Sequence, residues 1–121
     1  MKIKKIVNLT PHPLVFADGL TIESSGVARC ETTEQEIYKI ELPENQYTPH
    51  PPDVINHAPI PVIRTCFGSV VGLPDPVPGV VYVVSSITAQ AVVDRMDVYV
   101  PARPIRDEKG RIIACAALGR I

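Results

Sequence analysis

The sequence predicts a mainly β protein, a small β-barrel or sandwich of about eight short strands with one short helix near residues 86–95. Short runs of β-branched and other apolar residues recur along the chain, which is typical of strands. The 13 prolines and 7 glycines favour turns between these runs and interrupt helices. Strands do not alternate regularly with helices, so we do not expect a doubly wound nucleotide-binding sheet.

The first part of the chain contains a strand followed by a hairpin signal. Residues 2–8 alternate in polarity and are rich in isoleucine and valine, so they predict the first strand. Residues 14–22 contain two apolar runs on either side of Asp18 and Gly19. This dipeptide suits the positive φ angles of a type I′ turn, so we expect a tight hairpin.

The middle of the chain contains weaker strand signals and a proline-rich segment. Residues 27–31 predict a strand, and weak alternation predicts another over residues 35–42. Residues 43–61 contain six prolines and few large apolar side chains. They predict an irregular loop or a polyproline-like arm within a single domain of residues 1–121. An arm that reaches over a neighbouring subunit is the alternative.

The strongest signal for a buried strand is the unbroken apolar run over residues 80–84, which is bounded by turn residues. Before it, residues 62–67 predict a strand that residues 68–72 either continue or pair with. After it, Ser85 or Ser86 provides an N-cap for a short helix over residues 87–95.

The end of the chain predicts a strand and a hairpin. Residues 97–100 have the composition of a strand, which Pro101 is expected to end. Residues 106–111 predict a turn with Gly110 in the left-handed conformation. Residues 112–118 are apolar and predict the closing strand.

Composition argues against several classes of function. The net charge is −1 and the chain contains no Trp, so it offers neither the basic face that duplex nucleic acid needs nor many aromatic platforms for bases. No apolar run reaches the roughly 20 residues of a membrane helix, and the one after the N-terminal lysines is too short for a signal peptide. We therefore expect a cytoplasmic protein that does not associate with membranes.

The cysteine pattern predicts neither a disulfide framework nor a zinc site. Cys30, Cys66 and Cys115 are far apart and lack the paired spacing of zinc ligands. We expect them to be small buried side chains in a reducing compartment. Three residues of the proline-rich segment converge too little to predict a metal site, namely His50, Asp53 and His57. We therefore expect no cofactor.

The segment 8–13, with the sequence Asn-Leu-Thr-Pro-His-Pro, is the first candidate for a binding site. Proline favours extended backbone in the residue before it, so Asn8, Thr10 and His12 are expected to alternate onto one side. One interpretation is the polar edge of a pocket, with His12 as a hydrogen-bond donor or an acid/base. The other is a turn in which Asn8 and Thr10 bind local backbone groups.

Four further residues complete the candidate ligand-binding set. Ser85 stands at a strand-to-helix junction, where it either borders an anion site or only caps the helix. Arg95 and Asp97 either clamp a phosphate and a hydroxyl group or form an internal ion pair. Arg29 either binds an anion or faces the solvent. We expect no serine nucleophile, because neither Ser85 nor Ser86 lies in a Gly-x-Ser-x-Gly motif.

Several sequence pieces together resemble a group of small uncharacterised proteins encoded by bacteriophages and prophages. The resemblance spans the chain except about residues 32–59, and it is specific as a joint pattern. This chain departs from the group at Ala114, where the group has glycine. The pieces are residues 8–12, 25–29, 67–68, 72–74, 82–85, Arg95 with Asp97, and residues 107–113.

The resemblance implies a phage origin but no established activity and no catalytic residues. Small, compact phage proteins without catalytic motifs are often counter-defence factors that act in the cytoplasm of the infected bacterium. One such class sequesters nucleotide-derived signals made by Thoeris or CBASS defence systems. The leading expectation is therefore a protein that binds such a signal without cleaving it, through Asn8, Thr10, His12, Arg29, Ser85, Arg95 and Asp97.

Two alternatives belong to other functional classes. The first is a hydrolase or lyase that destroys a nucleotide signal, with His12 as the acid/base. The second is a virion or protein-interaction module whose proline-rich arm docks on a partner or a sister subunit. The arm leads us to expect a homo-oligomer.

Overall fold

The fold is mainly β, as the sequence predicts. The computed structural model of the chain describes residues 1–43 and 59–121. These residues form eight strands and one short helix, and the largest sheet curls into a half-barrel. The elements are β1 (Lys5–Asn8), β2 (Leu14–Val15), β3 (Thr21–Ile22), β4 (Arg29–Ile40), β5 (Ile60–Val71), β6 (Val80–Val83), α1 (Ser86–Gln90), β7 (Val98–Arg106) and β8 (Ile112–Gly119).

The chain divides into two compact units. The larger unit comprises Met1–Glu31 and Gly68–Ile121, and it contains both the main sheet and the hairpin β2–β3. The smaller unit comprises Thr32–Phe67, whose described part consists of the paired strands β4 and β5. Most of the predicted arm at 43–61, including His50, Asp53 and His57, lies outside the described residues.

The main sheet has the strand order β1-β6-β7-β8. β1 pairs with β6 in parallel, with Asn8 opposite Val83, and β6 pairs with β7 in parallel, with Val83 opposite Tyr99. β7 and β8 pair in antiparallel orientation. β6, α1 and β7 form one strand–helix–strand crossover with parallel strands, the single place where a helix stands between two strands in the described chain. Its helix corresponds to the short helix that the sequence predicts, but the sequence pattern does not show that the strands on either side of it pair in parallel.

β6 supplies core side chains to two separate clusters, because successive side chains of a strand point to opposite faces. Tyr82 and Val84, the residue that directly follows β6, pack with Leu9, Ala28, Ala89 and Val98 in the first cluster. Val83 packs with Leu14 and Cys115 in the second. This arrangement explains the unbroken apolar run, since a strand that is buried on both faces has no solvent side to carry polar residues.

The helix is shorter than the sequence suggests. α1 ends at Gln90, and residues 91–94 form turns in which Val92 and Arg95 donate backbone hydrogen bonds to carbonyls three residues earlier. Two adjacent β-branched residues, Val92 and Val93, together with Asp94, have low helix propensity. The segment therefore tightens into turns instead of continuing as an α-helix.

β7 does not end at Pro101, contrary to the sequence expectation. It continues to Arg106 and pairs with β8 from Val100 onward, with Pro101 opposite Leu118, Pro104 opposite Cys115 and a register shift between Ile105 and Arg106. β6 pairs with β7 only as far as Tyr99. Beyond that point no other described strand pairs with β7 on that side, so a proline whose nitrogen faces that side costs no ladder hydrogen bond.

The β2–β3 hairpin forms, but the predicted type I′ turn was wrong. A type I′ turn needs positive φ at both central residues, and Arg103 is the one non-glycine residue with positive φ in the described chain. Instead, Gly19 has φ 91° and donates to the carbonyl of Phe16, while the N–H of Phe16 donates to the carbonyl of Leu20. This is a three-residue loop with glycine in the left-handed position.

The predicted turn before the last strand has the same geometry. Gly110 has φ 80° and donates to the carbonyl of Asp107, and the N–H of Asp107 donates to the carbonyl of Arg111. The Asp107 carboxylate also accepts from the backbone N–H groups of Lys109 and Arg111. These backbone bonds hold the pKa of Asp107 below its ordinary value. The left-handed glycine predicted from the sequence is confirmed.

β4 and β5 are longer than the sequence suggests. β4 joins the two strands predicted over residues 27–31 and 35–42, and β5 extends the strand predicted over 62–67 through residues 68–71. All three cysteines are free thiols, but only Cys115 is buried, whereas Cys30 and Cys66 are half-buried. The expectation of buried cysteines was therefore wrong for two of the three, because they lie on the sparsely covered strands β4 and β5.

Candidate functional site

The segment after β1 is organised by the side chain of Asn8, which is completely buried. Its Nδ2 donates to the carbonyls of His12 at 2.9 Å and Ile22 at 3.0 Å. Its Oδ1 accepts from the N–H of Thr10 at 3.0 Å and from the Thr10 hydroxyl at 2.7 Å. Both amide donors and the amide oxygen are thus engaged within the protein.

These bonds match the turn interpretation for Asn8 and Thr10. Residues 10–12 form bends instead of the extended segment that the prolines suggest, so the expectation of simple alternation onto one side was wrong. The physical reason is that Asn8 draws the chain back, because an asparagine side chain readily binds the backbone two residues later. Asn8 therefore shapes the loop, and its role toward a ligand stays a prediction.

His12 is exposed and lines a cavity of about 430 Å³ together with Thr10, Leu14, Ser85 and Ile113. We call it the His12 cavity. Its walls are mainly aliphatic. β2 contributes Leu14 to them and β8 contributes Ile113. The His12 imidazole makes no side-chain hydrogen bond with the described residues, so no neighbouring carboxylate orients it as an acid/base in the structure.

Ser85 caps α1. Its hydroxyl oxygen accepts from the N–H of Thr88 at 3.4 Å, and its hydroxyl lies 3.0 Å from the Thr88 hydroxyl oxygen. Thr88 in turn donates to the carbonyl of Ala28 at 3.3 Å. The capping interpretation of Ser85 is therefore confirmed, and the cap also ties the start of the helix to the segment that leads into β4.

Arg29 and Ser85 line an open groove of about 610 Å³. We call it the Arg29 groove. Arg29 stands at the start of β4, and Glu31 follows two residues later and also lines the groove. The apolar wall is formed by Leu9, Val27 and Ile87. Ser85 lines both the Arg29 groove and the His12 cavity.

Arg95 and Asp97 form a two-bonded ion pair, with Nε to Oδ1 at 2.8 Å and the terminal guanidinium nitrogen to Oδ2 at 2.9 Å. Arg95 also donates to the carbonyl of Pro74 at 2.9 Å. The hydrogen bond between the pair lowers the pKa of Asp97 and raises the pKa of Arg95. The ion-pair interpretation is therefore confirmed, and neither residue lines the Arg29 groove or the His12 cavity.

The structure thus distributes the seven predicted site residues over four places. Arg29 and Ser85 share the Arg29 groove, and Thr10 and His12 share the His12 cavity with Ser85. Asn8 lies in the core and the Arg95–Asp97 pair lies elsewhere. No single pocket contains all seven. The polar side-chain atoms of Asn8, Arg95 and Asp97 form hydrogen bonds within the protein instead.

Sequence reasoning missed Glu31 and the apolar wall of the groove. Strand alternation could have found Glu31, because residues two apart on a strand share a face, and Arg29 had already been singled out. Leu9 and Ile87 gave no such signal, since both are distant from Arg29 in the sequence. Only the chain path brings them to the same groove.

Comparison with protein-family models, curated proteins and solved structures found no match to this chain. Within residues 1–43 and 59–121, no three metal-ligating side chains of His, Cys, Asp or Glu cluster together. In the same ranges, no helix has the length and apolar character needed to cross a membrane.

Proposed function

We propose that this protein binds a small nucleotide-like ligand in the Arg29 groove and sequesters it without cleaving it. The observation that carries the proposal is that Arg29, Glu31 and Ser85 line one groove together with an aliphatic wall. Its volume of about 610 Å³ falls within the range of small-molecule sites, roughly 300–1,000 Å³.

The chemistry of the groove supports an anionic ligand with one apolar part. An arginine side chain presents paired N–H donors that match phosphate oxygens. Glu31 accepts hydrogen bonds from hydroxyl or amino groups, which a ribose or a base provides. Leu9 and Ile87 offer aliphatic surface on which a base packs. Because Glu31 is itself negative, the groove favours a ligand whose phosphate lies toward Arg29.

Binding without cleavage is favoured over the enzyme alternative. The acid/base of that alternative, His12, lines the His12 cavity and is not among the residues that line the Arg29 groove. The biological role proposed here comes from the resemblance to small phage proteins. In that role the protein removes a defence signal of the Thoeris or CBASS type from the cytoplasm of an infected bacterium.

Calorimetric titration with AMP, ADP-ribose and a cyclic dinucleotide tests the proposal. We expect at least one to bind and to be recovered chemically intact after the protein is heat-denatured. Arg29→Gln should weaken this binding at least tenfold, because a charge-assisted hydrogen bond is lost. Arg103→Gln on β7 makes the same charge change at an exposed residue outside the groove and should leave affinity unchanged.

Two results contradict the proposal. If none of the probes binds, the groove is not a nucleotide site. If a probe is recovered in altered form, and His12→Ala abolishes the alteration, the hydrolase or lyase alternative replaces sequestration.

A further inference from the structure

The smaller unit exposes an unusual number of large apolar side chains. We call its described strand residues, 32–40 of β4 and 60–67 of β5, the apolar ribbon. Between about two fifths and three fifths of each of six large residues is exposed. They are Ile37 (39%), Tyr38 (58%), Ile40 (42%), Ile60 (42%), Ile63 (47%) and Phe67 (40%).

These side chains occur on both faces of the ribbon. Successive residues of a strand point to opposite faces, so Ile37 and Tyr38 lie on different faces of β4. By the same rule, Ile60 and Ile63 lie on different faces of β5. A solvent-exposed ribbon usually carries polar residues on at least one face, whereas apolar residues on both faces are typical of strands that are covered on both sides.

A two-stranded ribbon also gains little stability by itself. Isolated two-stranded sheets are marginal in water, and additional strands or a packed face are needed to stabilise them. Among the strands that the structure describes, β4 and β5 pair only with each other. Something must therefore pack against the apolar ribbon if it is to be stable.

We propose that a second copy of this chain packs against the apolar ribbon, so that the protein is a homodimer through β4 and β5. The six apolar residues expose on the order of 100 Å² each, given that an aromatic side chain presents roughly 150–250 Å². Summed over both faces of the ribbon, this area approaches the roughly 800 Å² that each partner contributes to a standard stable interface, so the second copy has to contact both faces. The polar neighbours of these residues supply the remainder.

The charges of the ribbon favour a second copy over a charged partner. The ribbon carries two acidic and two basic side chains, Glu34, Glu36, Lys39 and Arg64. Their formal charges cancel, so two copies do not repel each other and the ribbon has no net charge to select an acidic or basic partner. A twofold dimer uses the same patch on both chains, which a neutral and apolar surface permits.

The test is the mass of the full chain, without ligand, as a function of concentration in sedimentation velocity. We expect twice the 13.2 kDa chain mass at high concentration and dissociation on dilution. Ile63→Glu should raise the dissociation constant at least tenfold, because it places like charges at a twofold interface. Leu20→Glu is the matched control, since Leu20 is 55% exposed but lies outside the ribbon.

A wild-type mass of one chain at all concentrations overturns the proposal, as does equal weakening by Leu20→Glu and Ile63→Glu. If Ile63→Glu does not fold, amide hydrogen exchange of the wild type tests the dimer instead. The amides of β4 and β5 should then exchange faster on dilution, while those of β6 stay unchanged. Exchange rates that do not depend on concentration also overturn the proposal.

Discussion

The side-chain amide of Asn8 donates a hydrogen bond of 2.9 Å to the backbone carbonyl of His12, four residues later. A second bond to the carbonyl of Ile22 connects the same side chain to β3. The end of β1, the bend at residues 10–12 and the β2–β3 hairpin therefore all depend on one buried asparagine. Since the side chain is completely buried, water cannot replace these bonds if it is lost.

We expect Asn8→Ala to lower the free energy of unfolding by about 2–4 kcal/mol, because it leaves several buried or half-buried backbone groups without a partner. Thr10→Val removes only the hydroxyl that donates to Asn8 and should cost about 1 kcal/mol. Urea denaturation of both variants measures the difference. Equal costs for the two variants would show that Asn8 does not organise this segment.

The fold class could be predicted because its signals are local. The apolar run at Val80–Val84 and the glycine turns before β3 and β8 each depend on a few adjacent residues. The continuation of β7 beyond Pro101 could not be predicted, because it depends on where β6 ends. A proline is tolerated or not according to its strand partners, and these are set by the three-dimensional arrangement.

The candidate site was only partly predictable for a related reason. The sequence predicted a site from polar residues at strand ends. Three of these residues, Asn8, Arg95 and Asp97, bind one another or the backbone in the structure. Arg29 and Ser85 do share a groove, but nothing in the sequence places them together. The groove depends on Leu9, the start of β4 and α1 meeting in space, and no spacing rule describes that.

The Arg95–Asp97 pair should stabilise the protein through its geometry. Its two side chains are 20% and 16% exposed, so each is largely removed from water, and both bonds are short. We expect Asp97→Asn to lower the free energy of unfolding by about 1–3 kcal/mol. A double-mutant cycle with Arg95→Gln should give a coupling energy of at least about 1 kcal/mol. Strictly additive effects would contradict an energetic role for the pair.

The same pair predicts how stability depends on acid. The hydrogen bond from Arg95 places the pKa of Asp97 below its ordinary value of 3.8. A carboxyl group whose pKa is lower in the folded than in the unfolded state stabilises the protein fully above the unfolded value. That stabilisation is lost as the pH falls through the folded value. The stability difference between wild type and Asp97→Asn should therefore be constant near neutral pH and shrink below about pH 4.

Urea titrations at a series of pH values measure this difference directly. Asp18→Asn is a useful comparison, because Asp18 is exposed and, among the residues that the structure describes, its carboxylate accepts only the N–H of Leu20. If the stability difference between wild type and Asp97→Asn grows as the pH falls, the predicted direction of the Asp97 pKa shift is wrong.

The centre of the core should be sensitive to small cavities. Val83 is completely buried in the cluster with Leu14 and Cys115, whereas Val93 is 60% exposed. We expect Val83→Ala to cost about 2 kcal/mol, from the lost transfer of two methyl groups and from the cavity that remains. Val93→Ala should cost less than about 0.5 kcal/mol. Thermal and urea denaturation measure the loss of unfolding free energy in both variants. Similar losses would show that Val83 is not at the centre of the core.

Gly72 should tolerate substitution less well than another glycine with nearly the same backbone. Gly72 has φ 87°, and a Cβ there would lie 2.6 Å from the carbonyl oxygen of Val27. Gly110 has φ 80°, but a Cβ there meets nothing within 4 Å. Gly110→Ala therefore tests the cost of the left-handed backbone alone, about 1–2 kcal/mol.

Gly72→Ala adds a clash with backbone and should cost about 2–5 kcal/mol in the free energy of unfolding. Because Val27 lines the Arg29 groove, this variant should also weaken ligand binding there, whereas Gly110→Ala should not. Urea denaturation measures the first effect and calorimetric titration the second. If both variants lose the same stability, Val27 yields freely to the new methyl group, and the close approach of the two backbones is not a constraint on the fold.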